Sequence, residues 1–267
     1  MSNRAESFGG MADGQEASLG RRNEETTLDG VGRELVRGSR VLLMVRHAER
    51  PHIDPEDPTF GEGLPITEAG ERDAHLYGER LAAQCACAGV GGGDVQFLSS
   101  PLHRTRLTAA AVARGMGLDA RWNYSSIPCH VLIGNGSPYY ADAREVWQLF
   151  RDGEFYRHSF EYCRSGAGPG FRPLAEATQM LEDFAVSRFT GRIGVFLSHD
   201  LFIAAFLSGR GVWSGWTVET WPQFLDAAAV ILRPDGSRAY ALVRGGVAAA
   251  REAAQMQQQR QEAVDGR

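Results

Sequence analysis

The sequence predicts an α/β fold, a three-layer sandwich in which helices flank both faces of a mainly parallel central sheet. Three segments each carry a short apolar run that leads into polar residues and then into a helical pattern. They are "RVLLMVRHAER" from Arg40, "DVQFLSSPLHRTRLTAAAVARG" from Asp94 and "RIGVFLSHDLFIAAFLSG" from Arg192. Apolar runs of this length, alternating with helices, are typical of parallel strands buried on both faces and joined by short loops.

Further elements extend this pattern along the chain. Thr67 can cap a helix through "TEAGERDAHLYGERLAAQCA", where small and large apolar residues recur at helical spacing. A late strand is predicted near residues 228–232. The turn "RPDGS" follows it, and "AYALV" then provides a hairpin partner.

The domain organisation follows from composition. Residues 1–38 are rich in Gly, Glu, Asn and Arg without apolar periodicity, and they predict a disordered tail. Residues 39–245 form one domain. Within it, residues 119–176 mix aromatic residues with Gly and Pro, and we expect a largely helical insertion over the functional site. Residues 246–267 contain strong helix formers but few large apolar residues, which predicts a helical or frayed tail.

Composition and charge exclude several classes of partner. The chain of 267 residues has a formal net charge of −5 and a pI of about 5.8, so it lacks the basic surface that grips nucleic acid or anionic lipid. No apolar run approaches the roughly 20 residues of a membrane helix, and the polar N-terminus is unlike a signal peptide. We therefore expect a cytoplasmic protein without nucleic-acid or membrane partners. A homo-oligomer remains one option for its assembly.

The basic residues limit the kinds of active site that this chain can form. All 28 of them are arginine, so a phosphate-binding lysine of the P-loop or protein-kinase type and a Schiff-base lysine are both impossible. Arginine carries a planar fork of N–H donors that matches the oxygens of a phosphoryl group. The chain can therefore bind phosphate through guanidinium groups alone.

Polar clusters follow each of the three apolar runs. They consist of Arg46, His47, Glu49 and Arg50 after the first run, Arg104 and Arg106 after the second, and His199 and Asp200 after the third. Ligands of open α/β sheets bind beyond the carboxyl ends of the strands, where all three clusters fall. Several guanidinium groups and two histidines at one edge, with helix N-termini nearby, predict a pocket for a phosphate dianion.

Such a pocket suits phosphoryl transfer, because catalysis there consists mostly of positioning and charge stabilisation. A neutral histidine in line with the phosphorus can act as nucleophile, and a carboxylic acid must protonate the leaving oxygen. Asp200, beside the second histidine, is the preferred acid. Glu49, Asp142 and Glu145 are the alternatives. No metal or other cofactor is needed, since the arginines neutralise the charge.

These motifs resemble those of the histidine phosphatase superfamily, which includes the phosphoglycerate mutases and the histidine acid phosphatases, over roughly residues 39–235. "RHAER" is similar to the family's Arg-His-Gly signature, and the resemblance implies a phosphohistidine at His47 beside a phosphate-binding Arg46. "SSPLHRTRLTA" resembles the second motif and places a phosphate-binding arginine at Arg104. "SHD" resembles the third and places the second pocket histidine at His199. The implied fold is phosphoglycerate mutase-like.

The match mixes two branches of that family. Asp200 resembles the proton donor of the acid-phosphatase branch, and Arg50 resembles that branch's extra phosphate-binding arginine. Ala48 replaces the usual glycine, and Pro51 lies one position earlier than that branch's pattern. Glu49 is similar to the mutase-type Arg-His-Gly-Glu, and a structural pairing of this side chain with a nearby arginine is the alternative to a chemical role.

The sequence thus predicts a metal-independent phosphomonoester hydrolase that acts on a small phosphorylated metabolite through a covalent phosphohistidine at His47. Arg46, Arg50, Arg104 and His199 hold the phosphoryl group, and Asp200 protonates the leaving alcohol. A mutase-type phosphotransferase is the alternative within the same chemistry. A catalytically silent phosphate-binding module is the alternative from another class.

Overall fold

A computed structural model describes residues 25–54, 57, 59, 61–118 and 136–246. The strands are β1 (Glu25–Thr27), β2 (Arg40–Arg46), β3 (Val95–Ser99), β4 (Ile193–Ser198), β5 (Ala227–Leu232) and β6 (Arg238–Arg244). The α-helices are α1 (Leu28–Val36), α2 (Glu68–Cys87), α3 (His103–Gly115), α4 (Ala143–Arg151), α5 (Phe155–Ser165), α6 (Leu174–Arg188) and α7 (Asp200–Gly209).

The strands form one six-stranded sheet in the order β1-β6-β5-β2-β4-β3. The predicted parallel strands β2, β4 and β3 are neighbours, with Val41 opposite Ile193 and Val95 also opposite Ile193. β5 runs antiparallel to both β2 and β6, so the predicted late strand and hairpin are confirmed. The sheet is mainly parallel, as expected, and the carboxyl ends of β2, β3 and β4 meet at one edge.

Alternate residues of β2 enter the two cores on opposite faces of the sheet. Val41, Leu43 and Val45 pack in the core that also contains the buried faces of α1, α2 and α3. Leu42 and Met44 pack in the core that contains residues of α4 to α7. Successive side chains of a strand point to opposite faces, so a run that is apolar at every position needs helices on both sides. The three-layer architecture is confirmed.

The predicted boundary of the N-terminal tail is wrong. Residues 25–36 form β1 and α1, and only residues 1–24 of the predicted tail lie outside the described residues. β1 pairs in parallel with β6, from the other end of the domain. Leu28, Val31 and Leu35 on α1 are fully buried against the sheet. Their spacing is helical, but the segment is short and contains two glycines, so it showed no clear periodicity in the sequence.

Helix α2 begins as predicted, with the Thr67 hydroxyl accepting a hydrogen bond from the Gly70 N–H at 2.9 Å. The connection that precedes it is longer than expected, because residues 47–67 separate β2 from α2. The prediction of short strand-to-helix loops is therefore wrong here and correct for β3 and β4. A Cβ atom at Gly70 would lie 2.5 Å from the Glu49 carbonyl oxygen, so glycine lets α2 approach the site.

The described part of the predicted insertion is helical. α5 packs on α7, and α4 packs on α5. An isolated β-bridge joins Tyr140 to Phe171. Residues 119–135 of the insertion and residues 247–267 of the predicted C-terminal tail lie outside the described residues. No helix in the part of the chain described above is long and apolar enough to cross a membrane.

Candidate active site

The three predicted clusters meet at the carboxyl edge of the sheet. Arg46 ends β2, and the backbone N–H of His47 bonds to the Ser198 carbonyl oxygen at the end of β4 at 3.1 Å. The rings of His47 and His199 lie edge to face with their centroids 5.2 Å apart. Arg104 reaches the same cavity from the first turn of α3. Parallel pairing of β2 with β4 brings together motifs that are about 150 residues apart in the chain.

His47 is nearly fully buried, and its Nδ1 lies 2.7 Å from the Ala48 carbonyl oxygen. A carbonyl oxygen can only accept, so Nδ1 carries the proton and Nε2 carries the lone pair. Burial, followed by the positive charge of Arg104, lowers the pKa of His47 to about 3. The ring is therefore neutral at physiological pH, which is the form that can attack phosphorus.

His199 is held by a chain of hydroxyl groups. Its Nε2 lies 3.1 Å from Ser100 Oγ, which lies 2.8 Å from Thr105 Oγ1. Thr105 Oγ1 also lies within hydrogen-bond distance of the carbonyl oxygens of Ser100 and Leu102. The Ser100 hydroxyl therefore links His199 to Thr105 and fixes the orientation of the ring. Burial and the charge of Arg104 lower the pKa of His199, so this ring is also neutral.

Three arginines line the cavity around these rings. Arg46 donates from Nη1 to the Pro222 carbonyl oxygen at 2.6 Å, and Arg104 donates from Nη1 to that of Gly61 at 2.7 Å. The Nε atoms of Arg46, Arg50 and Arg104 are buried without a hydrogen-bond partner among the described residues. Buried donors are nearly always paired, so unpaired N–H groups on three arginines around one cavity indicate an anion site.

The positive field at this edge has two sources. Burial and the neighbouring Arg50 lower the pKa of Arg104 to about 10, so Arg104 still carries its charge at neutral pH. In addition, α3 begins at His103 and α7 begins at Asp200 with His199 as its N-cap, so both helices direct their N-termini toward the cavity. Free N–H groups and the helix dipole favour a bound anion there.

Asp200 is the only carboxylate among the described residues that line the cavity. Its Oδ2 lies 3.0 Å from Nη2 of Arg46, and its Oδ1 accepts the N–H of Leu201. Burial opposes ionisation of this carboxyl group. Arg46 and the Leu201 N–H outweigh that effect and hold the pKa of Asp200 below its ordinary value. Asp200 is therefore ionised at neutral pH while it is paired with Arg46.

The other proposed proton donors lie outside the cavity. Glu49 accepts a hydrogen bond from the Thr67 hydroxyl at 3.2 Å, and its backbone carbonyl accepts the Thr67 N–H at 2.9 Å. Its side chain therefore has a structural partner at the start of α2, which is Thr67 and not the nearby arginine expected from the sequence. Asp142 caps α4 by accepting the Arg144 N–H, and Glu145 is exposed in the first turn of that helix.

Two further motif positions, Arg106 and Ala48, can be located in the structure. Arg106 is exposed on α3 and does not line the cavity. Ala48 is fully buried, has no positive φ, and donates its N–H to Thr108 Oγ1 at 3.0 Å. The extra methyl group relative to glycine therefore fits without backbone strain.

Residues 221–226 support the site, and sequence reasoning missed this role. The ring centroid of Phe224 lies 4.3 Å from Cζ of Arg46 and 5.7 Å from the centroid of the His47 ring. Leu225 donates its N–H to the Arg46 carbonyl oxygen at 3.2 Å, and its φ of 65° is the only positive value of a non-glycine residue in the described ranges. The signal was "WPQFLD", an aromatic and proline-containing stretch without catalytic residue types.

The described residues contain no group of three or more His, Cys, Asp and Glu side chains arranged to hold a metal ion. The cavity instead has arginine and histidine at its floor. Aromatic residues of α4, α5 and α7 form its walls.

We expect the His47 ring to remain neutral far below the pH at which an ordinary histidine takes up a proton. The lowered pKa favours the deprotonated form down to about 3, so the imidazole ¹⁵N signals should stay at neutral-ring values through about pH 5. Long-range ¹H–¹⁵N NMR spectra, assigned by comparison with His47→Asn, measure this. Titration of the His47 signals between about pH 6 and 7 would contradict the proposed burial and charge of the site.

Comparison with known proteins identifies the family. A family model described as histidine phosphatase superfamily (branch 1) matches residues 42–245. No match was found among curated proteins.

Similar solved structures include three phosphatases. A mycobacterial glucosyl-3-phosphoglycerate phosphatase has 17% identity and a TM-score of 0.45, with 76% of this chain and 97% of that chain covered.

A phosphoserine phosphatase mutant from Entamoeba histolytica, in complex with phosphoserine, has 16% identity and a TM-score of 0.41, with 78% and 98% covered. The ecdysone phosphate phosphatase from Bombix mori, in complex with tungstate, has 16% identity and a TM-score of 0.38, with 77% and 92% covered. The family model spans well over half of the chain, and it confirms the expectation of a phosphatase of the histidine type. The chain therefore belongs to the histidine phosphatase superfamily.

Proposed function

We propose that this protein is a metal-independent phosphomonoester hydrolase that transfers the phosphoryl group of a small phosphorylated metabolite to Nε2 of His47. One observation carries the proposal. A buried, neutral histidine with a free Nε2 lone pair shares its cavity with three arginines whose Nε–H groups have no partner among the described residues. A phosphoryl dianion supplies acceptors for those donors while it presents phosphorus to the histidine.

In the first step, Nε2 of His47 forms a bond to phosphorus and the bond from phosphorus to the alcohol oxygen breaks. Arg46, Arg50, Arg104 and His199 stabilise the charge on the phosphoryl oxygens as it develops. The Nδ1–H bond to the Ala48 carbonyl keeps the phosphorylated ring in position and stabilises its positive charge. Asp200 donates a proton to the departing alcohol oxygen.

In the second step, a water molecule attacks the phosphohistidine. Asp200, now a carboxylate, accepts a proton from that water, the N–P bond breaks, and inorganic phosphate leaves with His47 restored. The proton that Asp200 donated in the first step is thereby recovered. No oxidant, reductant or further reactant is required.

The ion pair with Arg46 explains how Asp200 can begin the cycle as an acid. Before substrate binds, Arg46 holds Asp200 in its ionised form. A phosphoryl dianion in the pocket competes for the same guanidinium and adds negative charge beside the carboxylate. Like charges raise the pKa of a carboxyl group, so substrate binding favours the protonated form of Asp200.

The proposal of metal independence rests on charge. Three guanidinium groups already face the space that the phosphoryl oxygens would occupy, and they repel a divalent cation. The same groups supply the neutralisation that a metal ion provides in other phosphoryl-transfer sites.

The test is hydrolysis of p-nitrophenyl phosphate by the purified full-length protein. We expect equal amounts of p-nitrophenol and inorganic phosphate, activity that survives chelators, and competitive inhibition by vanadate. Loss of activity in chelator with rescue by a divalent ion would contradict the metal-free mechanism. Transfer of the phosphoryl group to an added alcohol, with little inorganic phosphate formed, would instead indicate the mutase-type reaction. Binding of vanadate without any turnover would indicate the silent module.

A further inference from the structure

The walls of the cavity differ in chemistry from its floor. Above the arginines and histidines, the described lining residues are mostly aromatic, and the wall consists of Tyr140, Trp147, Phe150, Phe155, Tyr156 and Phe202. Edge-to-face contacts connect these rings, as between Tyr140 and Trp147 with centroids 6.2 Å apart and between Phe150 and Phe155 at 5.8 Å. The leaving group of a phosphomonoester bound at the floor would lie against this wall.

The arginines on α4 and α5 point to partners outside the cavity and do not form part of its lining. Four arginines lie on these helices, and none of them lines it. Each is engaged with a polar neighbour nearby in sequence: Arg144 with Asp142, Arg151 with Gln148, Arg157 with Glu154, and Arg164 with Glu161. A second anionic group on a substrate would therefore find no free cation on this wall among the described residues.

The polar atoms of the wall are the phenol hydroxyls of Tyr140 and Tyr156 and the indole N–H of Trp147, all of which are uncharged groups. The pKa of Tyr140 is raised by burial and by the nearby Asp200, and the pKa of Tyr156 is raised by Asp200 and then by burial. Both side chains therefore stay neutral at physiological pH. Tyr140 is buried and Tyr156 is half-exposed, so the second ring lies at the mouth of the cavity.

We propose that the alcohol released by this enzyme is apolar and ring-shaped, an aryl or alicyclic alcohol without a second anionic group. This rests on the proposed function, because it concerns the leaving group at the same site. Apolar rings gain free energy when they leave water for an aromatic wall. A carboxylate or second phosphate would lose its hydration there, and the described residues of the wall offer no opposite charge to replace it.

The test uses phosphonates, whose C–P bond cannot be hydrolysed by this mechanism, so affinity is measured without turnover. Dissociation constants of benzylphosphonate, methylphosphonate and 3-carboxypropylphosphonate are measured by calorimetry on the wild-type protein. We expect benzylphosphonate to bind roughly 10-fold more tightly than methylphosphonate or better, given the ring area removed from water. The carboxypropyl compound should bind no more tightly than methylphosphonate.

Variants test whether the aromatic wall is the source of the tighter binding of benzylphosphonate. Trp147→Ala should remove most of the advantage of benzylphosphonate and leave the affinity for methylphosphonate unchanged, which also shows that the floor is intact. Phe155→Leu is the second variant, in case the first does not fold. Met180→Ala, on the exposed surface of α6, is the matched control and should keep the wild-type ratio.

The outcomes separate the two proposals. If 3-carboxypropylphosphonate binds as tightly as benzylphosphonate or more tightly, the apolar leaving group is wrong while the phosphate pocket stands. If the Met180→Ala and Trp147→Ala variants lose the advantage equally, the wall is not its source and the inference also fails. If none of the phosphonates binds, the phosphate pocket itself fails, and both proposals fall with it.

Discussion

Replacement of His47 by alanine is expected to abolish turnover, with a fall in kcat of on the order of 10⁴-fold or more, the scale seen when a covalent nucleophile is removed. The reason lies in the geometry of the ring. His47 is neutral, its Nδ1 is committed to the Ala48 carbonyl oxygen, and its Nε2 is the free nucleophilic atom in the cavity. The arginines that bind phosphate are held by other residues, so vanadate should still bind to the variant.

Rapid acid or alkali quench of the wild-type protein with ³²P-labelled substrate identifies the intermediate. Phosphate on His47 forms a phosphoramidate, which is labile in acid and stable in alkali, and the label should be absent from His47→Ala. His103→Ala is the matched control, because this histidine is exposed at the start of α3 and does not line the cavity. An acid-stable adduct, or retained turnover in His47→Ala, would place the nucleophile elsewhere.

Asp200→Asn is expected to slow phosphoryl transfer from alkyl phosphates by roughly 100-fold or more, the usual contribution of a general acid. Alkyl alcohols are poor leaving groups and need a proton as the bond to phosphorus breaks. The p-nitrophenolate ion departs with little protonation, so its transfer should be much less affected. Loss of the carboxylate also frees Arg46 from its ion pair, so phosphate binding should be retained or strengthened.

The measurement is single-turnover transfer to the enzyme for the two classes of substrate. Glu49→Gln is the matched control and also the test of the rival acid, because Glu49 bonds to Thr67 at the start of α2 and does not line the cavity. We expect this variant to transfer from both substrates at close to the wild-type rate. Equal losses of transfer rate for both substrates in Asp200→Asn would show that Asp200 is not the general acid. A selective loss in Glu49→Gln would transfer the role to Glu49.

The part of this protein that could be predicted from the sequence depends on local patterns. Apolar runs such as residues 41–45 identify strands buried on both faces, because a strand alternates its side chains between the two sides of the sheet. Thr67 identifies the start of α2 because the N-cap hydrogen bond, here from the Gly70 N–H to the Thr67 hydroxyl, forms within a stretch of four residues. Arginine, histidine and aspartate follow three of the strands. Because parallel strands end at a common edge of the sheet, these side chains were expected to meet in one site suited to phosphoryl transfer.

What the sequence could not decide involves residues brought together from distant parts of the chain. β1 is only three residues long and forms because β6 provides its partner, so residues 25–36 resembled the tail that precedes them. Residues 221–226 carry no catalytic residue types. Their contact with Arg46 and His47 exists because β5 lies next to β2 in the sheet.

The contrast between Glu49 and Asp200 shows the same limit within the motifs. The sequence placed both carboxylates next to expected site residues, and a case could be made for each as the acid. Only packing decided that the Glu49 side chain turns to Thr67 and that the Asp200 side chain turns to Arg46 inside the cavity. The neutral state of His47 was likewise decided in three dimensions, because burial and the charge of Arg104 depend on neighbours that lie close in space and far apart in sequence.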